Sequence, residues 1–214
     1  MIRIGVFDSG MGGESVAKAI TKALPDAQVT FVGDTKNLPY GSKTPDQLYA
    51  IVLPILQDLA QKNDVVVVAC NTVTTTLIGR LRKEISTPLV AVEPMVKPAA
   101  NRTKSGIIAV CATPTTLASE RYHQLKAEYA HNITVIEPDC SDWTAMIEAK
   151  QVDKQHVTER IQSVCQAGAD VIVLGCTHYH WIEELINEIA DGKAEVIQPE
   201  SAIIEQLKRV ISEL

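Results

Sequence analysis

Short apolar runs, rich in β-branched residues, alternate along the whole chain with longer amphipathic segments. Such runs are typical of strands buried on both faces of a parallel sheet, and the longer segments repeat apolar residues at helical spacing. Alternation of the two is the pattern of an α/β protein. The predicted strands are residues 2–7, 28–33, 64–69, 88–92, 106–111, 132–137, 170–175 and 194–198.

The predicted strands form two sets of four with nearly the same spacing. Asp8 and Asp34 end the first two strands and lie 26 residues apart, as do Ala112 and Pro138 in the second set. From the end of the first strand to the end motif of the third is 62 residues in one set and 64 in the other. The repeated spacing predicts two similar doubly wound parallel-sheet lobes.

The join between the lobes is predicted near Pro94 to Lys104, where turn-forming residues cluster. We therefore expect a first lobe at residues 1–96 and a second at 97–199. Beyond it one amphipathic helix is predicted. This helix could pack on either lobe, and we assign residues 200–214 to the first.

Composition favours a globular protein of a reducing compartment. Of the 214 residues, 46% are hydrophobic and 21% are charged, which suffices for a real core. A net charge of −6 and scattered Lys and Arg argue against nucleic-acid binding. No apolar stretch reaches membrane-spanning length, and the first strand begins too early for a signal peptide. Five cysteines without a CxxC pattern indicate reduced thiols, so we expect a cytoplasmic protein.

Two predicted strands end in the same motif, VVVVACNT at residues 65–72 and VIVLGCTH at residues 171–178. A cysteine is most often a small buried apolar residue. Here polar residues that cap helices or bind anions follow each one: Asn71 and Thr72, then Thr177 and His178. Ligands of open α/β sheets bind at the carboxyl ends of strands, so Cys70 and Cys176 are predicted to perform matched chemistry.

The other cysteines are predicted to be structural: Cys111 in a strand, Cys140 in a loop and Cys165 on a helical face. Cys176 and the two histidines at alternate positions after it could hold a metal if that segment is extended. No second cluster completes a ligand set, so no metal is predicted.

Residues 8–13, DSGMGG, connect the first strand to a helix. Gly10 and Gly12 fit half of a dinucleotide fingerprint, which leaves a nucleotide binder as one alternative. Ser15 stands at the third glycine position, however, and Asp8 would place a carboxylate beside a pyrophosphate. Asp8 is better suited to hold an ammonium group or to orient a thiol.

The polar loop GDTKNLPYGSK at residues 33–43 is either an ordinary surface loop or part of the site. If it faces the site, its amides and the Tyr40 hydroxyl can bind a carboxylate. The segment ATPTTLAS at residues 112–119 takes the place of DSGMGG in the second lobe. Its three threonines are predicted to supply neutral donors for an anion.

Together these motifs resemble the cofactor-independent aspartate/glutamate racemase superfamily, and within it the glutamate racemases. The resemblance runs over nearly the whole chain. It rests on GVFDSGMGG, GDTKNLPYGSK, VVACNT, AVEPMVKPA, ATPTTLAS with Tyr122, and LGCTHY, in this order. It implies two flavodoxin-like lobes with the substrate between them and no cofactor.

The resemblance implies that Cys70 and Cys176 are the two acid/base thiols, acting on D-glutamate and L-glutamate respectively. We expect Asp8 to assist Cys70 and His178 to assist Cys176. The substrate-binding positions implied are Asp8, Ser9, Tyr40, Gly41, Asn71, Thr72, Thr177 and His178. Glu148 matches an acidic helper of the family, although the stretch around it departs from the family's proline-containing version.

The predicted function is interconversion of L- and D-glutamate, supplying D-glutamate for peptidoglycan precursors. Glutamate is then the small-molecule partner, and a homodimer is left open. The alternatives are a racemase for aspartate or another amino acid, and a small-molecule sensor on the same scaffold. Matched thiols argue against a sensor, since a binding protein needs none. The chain departs from the family at Glu14, where leucine is common, and at His180, where proline is.

Overall fold

The computed structural model describes residues 1–214 and confirms the predicted α/β fold. Eight strands alternate with ten helices. The strands are β1 Arg3–Asp8, β2 Gln28–Gly33, β3 Val65–Val68, β4 Leu89–Ala91, β5 Ile107–Cys111, β6 Thr134–Ile136, β7 Val171–Leu174 and β8 Glu195–Ile197. The helices are α1 Glu14–Ala23, α2 Pro45–Lys62, α3 Asn71–Glu84, α4 Val96–Arg102, α5 Pro114–Leu117, α6 Glu120–Tyr129, α7 Trp143–Glu148, α8 Lys154–Gln166, α9 Glu183–Ala190 and α10 Glu200–Ser212.

The strands form two four-stranded sheets in which every pair is parallel. The first sheet has the order β2-β1-β3-β4 and the second β6-β5-β7-β8. Both repeat the strand order of flavodoxin-like sheets. The edge strand β6 is shorter than the predicted 132–137.

The chain divides into two compact units, Met1–Glu93 with Pro199–Leu214, and Pro94–Gln198. The last helix, α10, belongs to the first unit. Its Ile203 and Leu207 are buried in the same apolar cluster as residues of α1 and β3. None of the helices combines the length and apolar character needed to span a bilayer.

Each sheet is covered on both faces, which explains the continuous apolar runs. In β3, Val66 and Val68 face the cluster with α2 and α3, whereas Val65 and Val67 face the cluster with α1 and α10. β7 divides in the same way, with alternate residues in two clusters of the second unit. Because successive side chains of a strand point to opposite faces, a strand buried on both sides needs apolar residues at every position.

Candidate functional site

Three neighbouring strands bring polar side chains to one edge of the first sheet. Asp8 ends β1, Asp34 follows β2, and Cys70 lies two residues beyond β3. The register pairs Asp8 with Gly33 and places β3 on the other side of β1. Parallel strands end at the same edge, so the order β2-β1-β3 puts these three residues side by side.

Cys70 is buried at the start of α3, with 4% of its surface exposed. Its Sγ donates to the Ser9 hydroxyl at 3.3 Å. The predicted capping of this helix by Asn71 or Thr72 is wrong. Cys70 itself is the N-cap residue, without a side-chain cap, and the two polar residues already lie inside the first helical turn.

Asn71 is buried next to Cys70, with 3% of its surface exposed. Neither its Nδ2 nor its Oδ1 has a hydrogen-bond partner in the protein. Only the backbone is engaged, since its carbonyl accepts from Thr75 Oγ1 at 2.8 Å. Leaving a buried polar group unpaired costs about 1–3 kcal/mol, so this amide is suited to a ligand that offers both an acceptor and a donor.

Asp8 is fully buried, and the DSGMGG segment folds around its carboxylate. Asp8 Oδ2 accepts from the backbone N–H of Gly10 at 3.2 Å and of Gly13 at 3.0 Å. These two amides therefore bind the protein's own carboxylate rather than a phosphate. The bonds also fix the position of Ser9, the partner of Cys70.

Tyr40 is buried and its hydroxyl donates to Asp34 Oδ2 at 2.7 Å. Asn37 Nδ2 donates to both oxygens of the same carboxylate. Burial, together with the hydrogen bond to Asp34, holds the pKa of Tyr40 far above its ordinary value. The single hydroxyl hydrogen is committed to Asp34. The contact between Tyr40 and a substrate carboxylate stays a prediction.

In the second unit, Cys176 lies two residues beyond β7, the position that Cys70 has after β3. It is 8% exposed, and its Sγ lies 3.6 Å from His178 Nδ1. On the other side of the imidazole, His178 Nε2 lies 2.5 Å from Glu148 Oε1. Thr144 Oγ1 is also near the thiol, 3.9 Å from Cys176 Sγ.

The carboxylate fixes which nitrogen of His178 can take a proton from the thiol. An ionised carboxylate only accepts hydrogen bonds, so Nε2 carries the hydrogen shared with Glu148. In the neutral imidazole, Nδ1 then presents its lone pair to Cys176. Glu148, His178 and Cys176 thus form a carboxylate–imidazole–thiol row able to hold the thiol proton on the ring.

Residues Thr177–Ile182 form a 3-10 helix, so they are not the extended segment on which a metal site would depend. The described chain has no group of three or more His, Cys, Asp or Glu side chains arranged for a metal ion. Burial, with a further contribution from nearby His178, lowers the pKa of His180 to about 4. Thr177 is buried directly beside Cys176.

The threonines of ATPTTLAS serve local structure more than predicted. Thr113 caps α5, accepting from the backbone N–H of Thr116 at 3.3 Å. Its hydroxyl also donates to Thr116 Oγ1 at 3.0 Å. Thr113 therefore uses its hydroxyl hydrogen within the segment, where Thr116 Oγ1 accepts it.

Two of the other cysteines lie in the core of the second unit. Cys111 and Cys140 are buried in the same apolar cluster as Cys176. A hydrogen bond with Cys111, together with burial, raises the pKa of the Cys140 thiol far above its ordinary value. Cys165 lies partly exposed on α8.

Sequence reasoning missed Asp34 as the partner of Tyr40 and Thr144 as a neighbour of Cys176. The sequence marks Asp34 only as the residue that ends a predicted strand. Thr144 and Glu148 lie four residues apart, which places both on one face of α7. That spacing was the available signal, and it becomes informative only once α7 is known to face Cys176.

A family model described as Asp/Glu/Hydantoin racemase matches residues 4–207. The chain belongs to this family. The glutamate racemase of Herpetosiphon aurantiacus is 35% identical over 214 residues, covering 98% of this chain and 84% of that protein. The predicted family and the prediction of an amino-acid racemase are thereby confirmed.

Solved structures agree with the family assignment. Escherichia coli glutamate racemase, in complex with L-glutamate and the activator UDP-MurNAc-ala, matches with a TM-score of 0.89 and 27% identity. The match covers 99% of this chain and 82% of that one. Glutamate racemase from Francisella tularensis, in complex with D-glutamate, matches with a TM-score of 0.83 and 26% identity, over 99% and 81% of the two chains.

Proposed function

We propose that this racemase interconverts L- and D-glutamate and that Cys70 and Cys176 are its two acid/base groups. The equivalent placement of the two thiols, each two residues beyond the third strand of its sheet, carries the proposal. The substrate is supported by relatives named as glutamate racemases, and by solved structures of such enzymes with L-glutamate and with D-glutamate.

Racemisation removes the proton from Cα and returns one to the opposite face. Starting from L-glutamate, the Cys176 thiolate takes the Cα proton and the Cys70 thiol donates its own proton to the other face. The turnover leaves Cys176 as thiol and Cys70 as thiolate. The reaction from D-glutamate runs the same steps in reverse and restores the starting state.

Each thiol has neighbours suited to this work. A free cysteine has a pKa near 8.5, so a thiolate at neutral pH requires support. For Cys176 the support is His178, whose imidazolium is held by Glu148. Cys70 lies at the N-terminus of the 14-residue helix α3, where backbone N–H groups favour negative charge. Asp8 assists Cys70 by holding the loop that carries Ser9.

The unpartnered amide of Asn71 is the clearest substrate contact. A zwitterionic amino acid offers an ammonium group, which donates to Oδ1, and a carboxylate, which accepts from Nδ2. Thr72 and Thr177, each directly following a strand-end motif, and the backbone of Gly41 are the further proposed contacts. Hydrogen-bond donors around the substrate carboxylate would stabilise the charge that develops on it when the Cα proton leaves.

D-Glutamate made in this way would serve peptidoglycan precursors, the role that the glutamate racemase resemblance implies. The thiols must stay reduced for the mechanism to operate, which favours work in the cytoplasm. None of the five cysteines is part of a disulfide.

Circular dichroism of L-glutamate incubated with the purified protein tests the proposal, in parallel with L-aspartate. We expect glutamate to lose its optical activity without any added cofactor and in the presence of a chelator. Aspartate racemised faster than glutamate would replace the proposed substrate. Binding of amino acids without racemisation of any would favour the sensor. Chelator-sensitive activity restored by one metal would contradict the cofactor-independent mechanism.

A further inference from the structure

The short helix α7 places two polar side chains next to Cys176 and His178 in the second unit. Glu148 contacts His178, and Thr144, one turn earlier on the same face, lies with its Oγ1 3.9 Å from Cys176 Sγ. Glu148 acts on the thiol only through the imidazole. Thr144, in contrast, can hydrogen-bond to the thiol directly.

Tyr179 packs in the same apolar cluster as Cys176, and its own hydrogen is committed elsewhere. The Tyr179 hydroxyl donates to the backbone carbonyl of Cys140 at 2.9 Å, and a carbonyl can only accept. Tyr179 therefore has no hydroxyl hydrogen left to donate to the sulfur. Trp143 packs edge-on against the Tyr179 ring, 5.1 Å between centroids, and fixes this end of α7.

The Thr144 hydroxyl has one hydrogen and two lone pairs, so either it or the Cys176 thiol can be the donor between them. When Cys176 is a thiol, its S–H can donate to Thr144 Oγ1. When Cys176 is a thiolate, the hydroxyl can rotate and donate to the sulfur instead. The second bond is charge-assisted, and such bonds are about twice as strong as neutral ones, so on balance the hydroxyl favours the thiolate.

We propose that Thr144 is a positioning residue for Cys176, whose rotating hydroxyl accepts from the thiol and donates to the thiolate. The inference rests on the proposed function, in which Cys176 must hold each protonation state in turn. A neutral hydroxyl adapts to both states, whereas a fixed charge would favour only one.

Several titratable groups surround the same sulfur, and the test must separate Thr144 from them. His178 lies beside Cys176 with Glu148 behind it. Tyr179, Cys140 and Cys111 pack in the same cluster. Thr144→Val removes the hydroxyl, keeps the shape of the side chain and leaves all of these groups in place.

Alkylation of Cys176 by iodoacetamide, followed by peptide mass spectrometry as a function of pH, reads the thiolate population of the unliganded protein. For Thr144→Val we expect the profile to move to higher pH, with alkylation near neutral pH slowed about three- to tenfold. Thr144→Ser, which keeps the hydroxyl, should restore the rate to within about twofold. The matched control is Thr158→Val on α8. The Thr158 hydroxyl donates to the Lys154 carbonyl on its own helix, so this variant should leave the profile unchanged.

Steady-state kinetics provide the second readout. For Thr144→Val we expect kcat from L-glutamate to fall by about the same factor, with KM within about twofold of wild type. Should Thr144→Val fail to fold, Thr144→Ala takes its place. An unchanged alkylation profile together with unchanged kcat in the folded variant would overturn the inference. Failure of the proposed function would be recognised separately. Wild type would then fail to racemise glutamate, or Cys176→Ala would keep the wild-type rate, whatever the alkylation profile.

Discussion

The side chains next to the two thiols differ, so the two thiols have different partners for a proton. Cys70 donates to a serine hydroxyl, which cannot take up its proton. Cys176 faces an imidazole backed by the Glu148 carboxylate, and this pair can hold a whole proton. We therefore expect the Glu148–His178 pair to matter most when Cys176 acts as the base, in the reaction that starts from L-glutamate.

Glu148→Gln keeps the side-chain shape but removes the charge that stabilises the His178 imidazolium. We expect kcat from L-glutamate to fall by about 10- to 100-fold. The loss of kcat from D-glutamate should be smaller, because in that direction Cys176 acts as the acid. The equilibrium fixes only the ratio of the two kcat/KM values, so the two kcat values can fall by different factors. The matched control is Glu137→Gln, which removes a carboxylate bonded to Tyr122 and Lys126 and should leave kcat unchanged. Equal loss of kcat from both enantiomers would assign Glu148 to substrate binding.

His180 makes a separate prediction about stability. Its pKa is lowered from 6.5 to about 4 by burial and by His178. Below about pH 6.5 the His180 imidazole binds a proton in the unfolded chain but not in the folded protein. The free energy of unfolding therefore falls as pH drops from about 6.5 to about 4. The full change is about 3 kcal/mol. In urea titrations at about pH 7 and pH 4.5, His180→Gln should lose this pH-dependent part, whereas a change at exposed His131 should keep it. The same pH dependence in both variants would refute the assignment.

At the scale of elements, the segment between β1 and α1 is folded around a buried charge. Asp8 accepts from Gly10 and Gly13, and the close approach leaves no room for a side chain at Gly13. A Cβ there would lie 2.4 Å from Asp8 Cβ and 3.2 Å from Phe31 Cε2. The sequence requires glycine at this position because the backbone must wrap the carboxylate.

Gly13→Ala should therefore destabilise the protein by about 1–3 kcal/mol and reduce activity, because the loop that carries Ser9 must move. Gly79→Ala offers the opposite case within α3. Nothing lies within 4 Å of a Cβ at that position, and alanine is the better helix former. That variant should be more stable by about 0.5–1 kcal/mol. Urea unfolding of both variants checks the pair, and a neutral Gly13→Ala would show that the segment relaxes without cost.

Features that leave a pattern in the sequence could be predicted, whereas contacts that depend on how a segment packs could not. The strands and their ends were predictable, because burial on both faces leaves a continuous apolar run, and the ends place Cys70 and Cys176. The Tyr40–Asp34 bond was not, since it depends on how a polar loop folds back on its own strand. Thr144 was hidden for a similar reason, because only the packing of α7 brings it to Cys176.

At the scale of the whole molecule, two units with the same strand order each supply one thiol at the same place in the sheet. Each unit has its own core. The helix α10, which follows the second unit in the sequence, packs in the core of the first. Each thiol therefore has its own scaffold and its own neighbours. This duplication supports a chemistry with two equivalent but separately tuned bases.

The central claim is that both thiols are required, and single alanine variants test it most directly. Racemisation of L-glutamate and of D-glutamate by wild type, Cys70→Ala and Cys176→Ala is followed by circular dichroism, with far-ultraviolet spectra to verify folding. Cys165→Ala, a partly exposed cysteine on α8, is the matched control. We predict wild-type rates for the control and at least about a thousandfold loss from both enantiomers in either test variant. A folded Cys70→Ala or Cys176→Ala protein that racemises either enantiomer near the wild-type rate would contradict the two-thiol mechanism.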